Sequence, residues 1–201
     1  YDPSLEFLTE DKLHFGQPHE NFKFYGHTKR MMDLQIEAYQ KQYNLNYTSL
    51  ICGNIFGKHD GFNLEHGHVV PSLIHRCFLS RENNVPFKVW GDGSPKREFI
   101  FSKDLAKICL KLLSIEGKIP SRIIVSGSQE ISIKKLAETI SSFFDNKRIE
   151  WTQDTSPSNK SRITEKKVLN SLIPELEITD FTSAIEETIE WFVDAYPNVR
   201  L

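Results

Sequence analysis

The spacing of hydrophobic and polar positions changes several times along the chain, and these changes predict alternating helices and strands. After a polar, turn-rich loop over residues 1–24, apolar side chains recur at helical spacing from Tyr25 to about Tyr43, where Asn44 ends the helix. The same spacing predicts further helices over residues 69–82, 102–113, 132–144 and about 181–195. Short apolar runs bounded by turn residues predict strands at 47–52, 86–90, 97–101, 122–125 and 149–151. This alternation indicates an α/β fold.

The first predicted strand is largely apolar, like strands buried in parallel sheets. No G-x-G-x-x-G turn is present in the sequence, and Gly91-Asp92-Gly93 is followed by Ser-Pro-Lys, so we interpret it as a simple turn. The opening Tyr1-Asp2-Pro3-Ser4 resembles the middle of a loop. We therefore expect the chain to be the later part of a longer protein.

The composition excludes several classes of partner. With 25 Lys and Arg against 27 Asp and Glu, the net charge of -2 gives no bulk attraction for nucleic acid or an anionic membrane. Cys52, Cys77 and Cys109 are widely spaced and odd in number, which suits a reducing compartment. No apolar stretch approaches the roughly 18 residues that would span a bilayer. We expect a cytoplasmic protein with neither nucleic acid nor membrane as partner.

Seven histidines raise the question of a metal site. His66 and His68 lie two positions apart and His75 follows seven positions later, without the carboxylate or cysteine partners of a common site. We expect no metal, and we interpret His66 and His75 as loop and surface residues.

The start of the first predicted helix carries Tyr25-x-x-x-Lys29. Residues four apart share a helix face, and an ammonium beside a phenol favours the ionised phenol, which can then exchange a proton with a carbonyl oxygen. By spacing alone this pattern is more often an ordinary surface pair. Further motifs are needed to give it a function.

Three longer blocks supply them: Gly53-Asn-Ile-Phe-Gly-Lys-His-Asp-Gly-Phe-Asn63, Gly67-His-Val-Val-Pro-Ser-Leu-Ile-His-Arg76 and Val89-Trp-Gly-Asp-Gly-Ser-Pro-Lys-Arg-Glu-Phe-Ile100. With Tyr25-x-x-x-Lys29, their order and intervals resemble those of the GDP-L-fucose synthases, which are extended short-chain dehydrogenases/reductases. The resemblance extends over nearly the whole chain. The blocks around His68 and Trp90 are specific to this branch, whereas the Tyr and Lys mark the entire superfamily.

The resemblance implies roles for three residues in reduction. Tyr25 would be the general acid for ketone reduction, and Lys29 would promote its ionisation and bind the cofactor ribose. Asn54, at the end of a predicted strand, would lie beside the nicotinamide and the sugar.

Four further residues are implied in epimerisation and substrate binding. His68 would be one of two acid/base groups that act on the carbons flanking the ketone. Arg76 and Arg97 would bind the diphosphate or the sugar as guanidinium forks do. Trp90 would contact the substrate, although its position alone predicts a core aromatic at a strand end.

The resemblance also implies the fold, the domains, the reaction and the assembly. The fold would be α/β, the later part of a Rossmann-type parallel sheet with a small C-terminal substrate-binding lobe. Residues 1–54 would be the later part of the NADP-binding Rossmann domain, and residues 55–201 a mixed substrate lobe (about 55–100 and 125–180) with segments that return to the Rossmann domain. The intact enzyme would use NADP(H) to epimerise and reduce GDP-4-keto-6-deoxy-D-mannose to GDP-L-fucose. A homodimer would pair through the first helix, whose candidate interface residues are Met32, Gln35, Ile36 and Tyr39.

The chain departs from the family pattern in ways that keep two alternatives open. Lys58 and Gly61 replace the usual Pro and Asn, and the loop over residues 156–162 lacks the usual Asp-Gly pair, leaving Lys160 or Arg162 to contact a phosphate. The family's catalytic Ser-x-Cys segment would precede Tyr1, so Cys52 is interpreted as a buried structural thiol. The alternatives are another nucleotide-sugar epimerase or dehydratase, and a non-catalytic family member that acts as a binding subunit.

Overall fold

The computed structural model describes residues 5, 7–145, 148–152 and 163–201, so the loop with Lys160 and Arg162 lies outside the described residues. The α-helices in these ranges are α1 (Lys23–Tyr43), α2 (Val69–Glu82), α3 (Ser102–Leu113), α4 (Ile133–Ser142), α5 (Lys167–Leu172) and α6 (Phe181–Ala195). The strands are β1 (Phe7–Leu8), β2 (Ser49–Cys52), β3 (Asn54–Phe56), β4 (Phe87–Trp90), β5 (Lys96–Phe101), β6 (Arg122–Val125), β7 (Glu130–Ser132), β8 (Ile149–Thr152) and β9 (Ile163–Thr164).

The strongly periodic segments fold as predicted. Helices α2, α3 and α6 have the predicted bounds, and α4 begins where Ser132 caps it by accepting a hydrogen bond from the Lys135 backbone N–H at 3.0 Å. Asn44, with φ of 54°, ends α1 in the left-handed conformation. The short elements β1, β3, β7, β9 and α5 were not predicted, because two to six residues show too little periodicity to be recognised.

The chain forms two compact units, each from three segments. The first unit comprises the described residues of Tyr1–Gly53, Leu105–Ser126 and Arg162–Glu177. The second unit comprises those of Asn54–Asp104, Gly127–Ser161 and Ile178–Leu201.

The first unit contains parallel strand pairs and the long helix α1. Strand β2 pairs with β6 in parallel, with Ser49 opposite Arg122 and Cys52 opposite Val125, and β1 pairs with β9. Strand β6 is almost fully buried, whereas β2 is only half-buried along its length, which is more exposed than its sequence predicts.

Helix α1 has one buried side chain, the carboxylate of Asp33, which is 2% exposed. Arg122 donates to Asp33 Oδ2 through Nε at 2.6 Å and to Glu37 through a second nitrogen at 2.8 Å, and His14 Nε2 also lies 2.6 Å from Asp33. Apolar side chains of α1 remain exposed, among them Met32 and Tyr39 at 50% each. An ionic network therefore ties α1 to β6 and to the segment around His14.

The second unit combines sheets with a core rich in aromatic residues. Strand β5 lies between β3, which is parallel to it, and β7, which is antiparallel, while β4 pairs in parallel with β8. Phe62 and Phe192 are fully buried, with ring centroids 4.7 Å apart.

The surface position predicted for His75 is wrong. His75 is 4% exposed, packs against Phe192 and Tyr196, and pairs through Nδ1 with the Phe62 carbonyl at 2.8 Å. It lies in α2 among buried positions on both sides in sequence, so tertiary packing of α2 against α6 encloses it. His66 is exposed in a turn, as predicted.

Within the described ranges, none of the helices combines the length and apolar character needed to cross a membrane. In the same part of the chain, no three His, Cys, Asp or Glu side chains are grouped as a metal site would require.

Candidate active site

The Tyr25 and Lys29 pair lies in the first turns of α1. Tyr25 is 65% exposed, and Lys29 Nζ lies 5.4 Å from the centroid of its ring. Gly26 lets Pro18 pack against the helix, since a Cβ at Gly26 would lie 2.6 Å from the Pro18 Cβ. Arg30 adds a hydrogen bond to the Gly16 carbonyl at 2.8 Å. The preceding loop thus fixes the start of α1 and leaves the phenol and the ammonium accessible on one face.

Arg76 and Trp90, predicted to bind substrate, lie against each other in the second unit. The Arg76 guanidinium carbon is 3.8 Å from the centroid of the Trp90 ring, and the guanidinium also donates to the Leu64 carbonyl. Partial burial lowers the pKa of Arg76, but a guanidinium remains charged at neutral pH. The two side chains form a cationic and aromatic surface.

The prediction of Trp90 as a core aromatic is wrong, since Trp90 is 58% exposed. Strand β4 alternates strictly, with Phe87 and Val89 buried and Lys88 and Trp90 facing outward. The turn that follows has the predicted form, with Gly91 and Gly93 at φ of 80° and 75°.

Asn54 and Arg97 lie on neighbouring strands of the second unit. Exposed Asn54 is opposite Phe99 in the parallel β3–β5 register, and its Nδ2 donates to the Glu98 carbonyl at 2.9 Å. Arg97, two positions before Phe99, donates to the Lys96 carbonyl at 2.7 Å. Both residues therefore lie at the end of the sheet where β3 begins.

His68 precedes α2 as its N-cap residue, and its carbonyl accepts from the Ser72 N–H at 3.0 Å. The imidazole is 81% exposed, and Nδ1 lies 3.7 Å from Oδ1 of Asp60. Asp60 belongs to the block from Gly53 to Asn63, but the sequence pattern alone gave it no role. Only the folded loop between the two residues shows that they are neighbours.

The structure thus brings Tyr25 together with Lys29, as their spacing predicts, and it brings Arg76 together with Trp90, a contact that the sequence did not predict. The contacts found for Asn54 and His68 are with residues that the sequence analysis gave no role, namely Glu98 and Asp60.

The departures at Lys58 and Gly61 have local structural consequences. Lys58 Nζ pairs with Glu187 at 3.0 Å, an interaction that proline could not make. A Cβ at Gly61 would meet no atom within 4 Å, so this position does not require glycine for lack of space at the Cβ.

Cys52 is half-buried at the end of β2, and burial together with the neighbouring Cys109 raises the pKa of its thiol. A raised pKa keeps the thiol protonated and unreactive. This agrees with a structural role.

An α/β fold with parallel strand pairs and an exposed Tyr-x-x-x-Lys helix is typical of the class of extended short-chain dehydrogenases/reductases. A family model described as the NAD dependent epimerase/dehydratase family matches residues 1–126. The chain belongs to this family, whose members are enzymes.

Two relatives and one solved structure are similar to most of the chain. The chain is 37% identical over 196 residues to the GDP-L-fucose synthase of Dictyostelium discoideum, a match covering 96% of this chain and 61% of the relative. It is 32% identical to a probable GDP-L-fucose synthase of Drosophila melanogaster, covering 96% of this chain and 63% of the relative. A crystal structure of a GDP-L-fucose synthetase from Naegleria fowleri bound to NADP superposes with a TM-score of 0.86, at 34% identity, covering 96% of this chain and 61% of that one.

These matches confirm the predicted resemblance and fold class. They also show that the chain spans about three fifths of the length of these relatives.

Proposed function

We propose that the protein containing this chain is an NADPH-dependent epimerase-reductase that converts GDP-4-keto-6-deoxy-D-mannose into GDP-L-fucose. The proposal further includes a cytoplasmic location and a homodimer that pairs through α1, where Met32 and Tyr39 are half-exposed.

The contact between Arg76 and Trp90 is the single observation that most supports this proposal. A guanidinium at 3.8 Å from an exposed indole offers charge for a diphosphate and a flat face for a ring. The similarity to GDP-L-fucose synthases makes a GDP-sugar the expected ligand. Arg97, on β5, is proposed as a second diphosphate- or sugar-binding residue.

The residues of α1 fit the nicotinamide end of an NADP cofactor. Lys29 Nζ lies 5.4 Å from the centroid of the Tyr25 ring on an exposed face, where a ribose hydroxyl could reach both side chains. The cofactor would supply the hydride for reduction of the ketone. Tyr25 would donate the proton to the ketone oxygen, Lys29 would stabilise the phenolate left behind, and Asn54 would orient the reacting groups.

His68 is proposed to move protons at the carbons beside the ketone. Its 81% exposure leaves the imidazole accessible to a substrate, and protons beside a carbonyl are acidic enough for an imidazole base near neutral pH.

The catalytic proposal is tested by replacing Tyr25 with phenylalanine in the native polypeptide that contains this chain. We expect NADPH oxidation with GDP-4-keto-6-deoxy-D-mannose to slow by about 100-fold or more, the usual contribution of a positioned general acid. Tyr43→Phe is the matched control, because Tyr43 is a half-exposed tyrosine at the other end of α1. Equal activity of the Tyr25 and Tyr43 variants would contradict the mechanism.

The ligand proposal is tested by calorimetry with GDP, UDP and dTDP. We expect GDP to bind most tightly, and Arg76→Ala to weaken GDP binding about tenfold or more, while Arg81→Ala on the same helix leaves it unchanged. Tighter binding of UDP or dTDP would favour a different nucleotide-sugar epimerase or dehydratase. Nucleotide binding without turnover by the complete polypeptide would favour the non-catalytic binding subunit.

A further inference from the structure

The loop between β3 and α2 is tied down by hydrogen bonds to its own backbone and to neighbouring segments. Asn63 Oδ1 accepts from the N–H groups of Glu65 at 2.9 Å and His66 at 2.8 Å, and Phe62 donates to the Arg200 carbonyl at 2.7 Å. Gly67 donates to the Asn63 carbonyl at 3.1 Å. The loop therefore has a defined shape between Asp60 and His68.

This shape brings the Asp60 carboxylate to one particular nitrogen of His68. Asp60 Oδ1 accepts from the Gly61 N–H at 2.7 Å, which fixes the carboxylate, and lies 3.7 Å from His68 Nδ1. The carboxylate is 20% exposed and the imidazole 81%. The distance is longer than a hydrogen bond but within the range of a favourable charge interaction.

We infer that Asp60 is a positioning residue for His68. A carboxylate beside Nδ1 favours the neutral tautomer that carries its proton on Nδ1, because that N–H points toward the negative charge. The lone pair is then on Nε2, the nitrogen farther from Asp60 and available to the substrate.

The inference rests on the proposed function of His68 and adds a specific proton path to it. Nε2 takes the proton from the carbon beside the ketone, the carbon–hydrogen electron pair passes into the enolate, and the imidazole becomes a cation with both nitrogens protonated. Asp60 remains ionised and stabilises that cation. The second acid/base group then gives a proton to the opposite face of that carbon, which inverts its configuration, and it regains a proton from solvent. Release of the proton from Nε2 to solvent restores the starting tautomer of His68, so the cycle is balanced.

The first test measures the tautomer directly, without any turnover. In the native polypeptide labelled with 15N in histidine, long-range 1H–15N spectra distinguish Nδ1–H from Nε2–H, and His68→Gln assigns the signals. We expect Asp60→Asn to shift the tautomer ratio of His68 toward Nε2–H by about two- to fivefold, the size of interactions between exposed charged groups.

Asp60→Asn is a mild change, because the amide oxygen can still accept from Gly61 N–H. Glu65→Gln removes an equal charge from an exposed position of the same loop and is the matched control. If Asp60→Asn shifts the ratio no more than Glu65→Gln, the positioning role is refuted.

The second test follows the exchange of substrate hydrogens beside the ketone with deuterium from solvent. We expect Asp60→Asn to lower kcat for this exchange about two- to fivefold with little change in KM, and Asp60→Glu to recover part of the loss. An unchanged kcat in Asp60→Asn would overturn the inference. Absence of exchange in the parent protein would instead refute the proposed function, while the tautomer measurement would still decide the role of Asp60.

Discussion

Replacing Asp33 with asparagine isolates the contribution of one buried carboxylate to the helix that carries Tyr25 and Lys29. The substitution keeps the shape of the side chain and removes its charge. Asp33 is 2% exposed and has Arg122 Nε and His14 Nε2 each at 2.6 Å from Oδ2. The neutral amide removes the buried counter-charge of Arg122 and the charge that strengthens the hydrogen bonds to both partners.

The size of the effect follows from the burial of the three groups. Breaking a fully buried ion pair by removing one partner costs about 3–5 kcal/mol, and a single hydrogen bond to a charged group contributes about 1.5–3 kcal/mol. The Arg122 and His14 side chains are 20% and 28% exposed, so water can replace part of the lost interaction. We therefore expect Asp33→Asn to lower the free energy of unfolding of the first unit by about 2–4 kcal/mol.

Amide hydrogen exchange of peptides from α1 and β6 measures this change, because all three tryptophans lie in the second unit and cannot report it. The expected destabilisation corresponds to exchange about 30- to 900-fold faster. Glu37→Gln is the matched control, since Glu37 contacts the same arginine but is 31% exposed and should contribute less than about 1 kcal/mol. If both variants exchange equally fast, the buried carboxylate does not stabilise α1 as argued.

Three further predictions concern the second unit, whose tryptophan fluorescence can be followed during urea unfolding. Phe192→Ala should cost about 3–5 kcal/mol, because its ring is fully buried in an aromatic core. Gly67→Ala should cost about 1–3 kcal/mol, because the new Cβ would lie 2.3 Å from the Asn63 carbonyl oxygen, a backbone atom. The hydrogen bonds from Lys58 and then Lys103 lower the pKa of Glu187. The stability that this carboxylate contributes is therefore present above its unfolded pKa and is lost as the pH falls through its folded pKa. Across this pH range, the urea midpoint of unfolding should fall more in the parent than in Glu187→Gln.

Each of these predictions has its own control. Leu201→Ala, at a 62% exposed position, should leave the unfolding midpoint near that of the parent, unlike Phe192→Ala. Gly61→Ala should be tolerated, since its Cβ would meet no atom within 4 Å, and equal losses at both glycines would refute the steric argument. The pH argument fails if Glu187→Gln and the parent lose stability in parallel below neutral pH.

Several features of the candidate site were predictable because they depend on neighbours in sequence. The four-residue spacing of Tyr25 and Lys29 fixes their common face as soon as α1 forms. The alternation in β4 also predicts that Trp90 is exposed, because it follows the exposed Lys88 by two residues. Our interpretation of Trp90 as a core residue relied on its apolar character instead.

Other features depend on contacts that local sequence does not encode. His75 is a polar residue whose burial depends on α2 packing against the aromatic residues of α6. The partners of Asp33 and Asp60 also depend on the folded chain. Arg122, which contacts Asp33, is 89 positions away in sequence. His68 lies near Asp60 because of the shape of the loop that joins them.

The sequence by itself determined the α/β class, the bounds of the long helices and the family resemblance, because periodicity, capping and motif spacing act over a few residues. Only the tertiary structure decided which polar residues are buried and which side chains contact each other. The contacts of Arg76 with Trp90 and of Asp60 with His68 are examples. The physical reason is that burial and charge pairing depend on how distant segments pack. Removal of apolar surface from water drives this packing, and local propensity does not specify it.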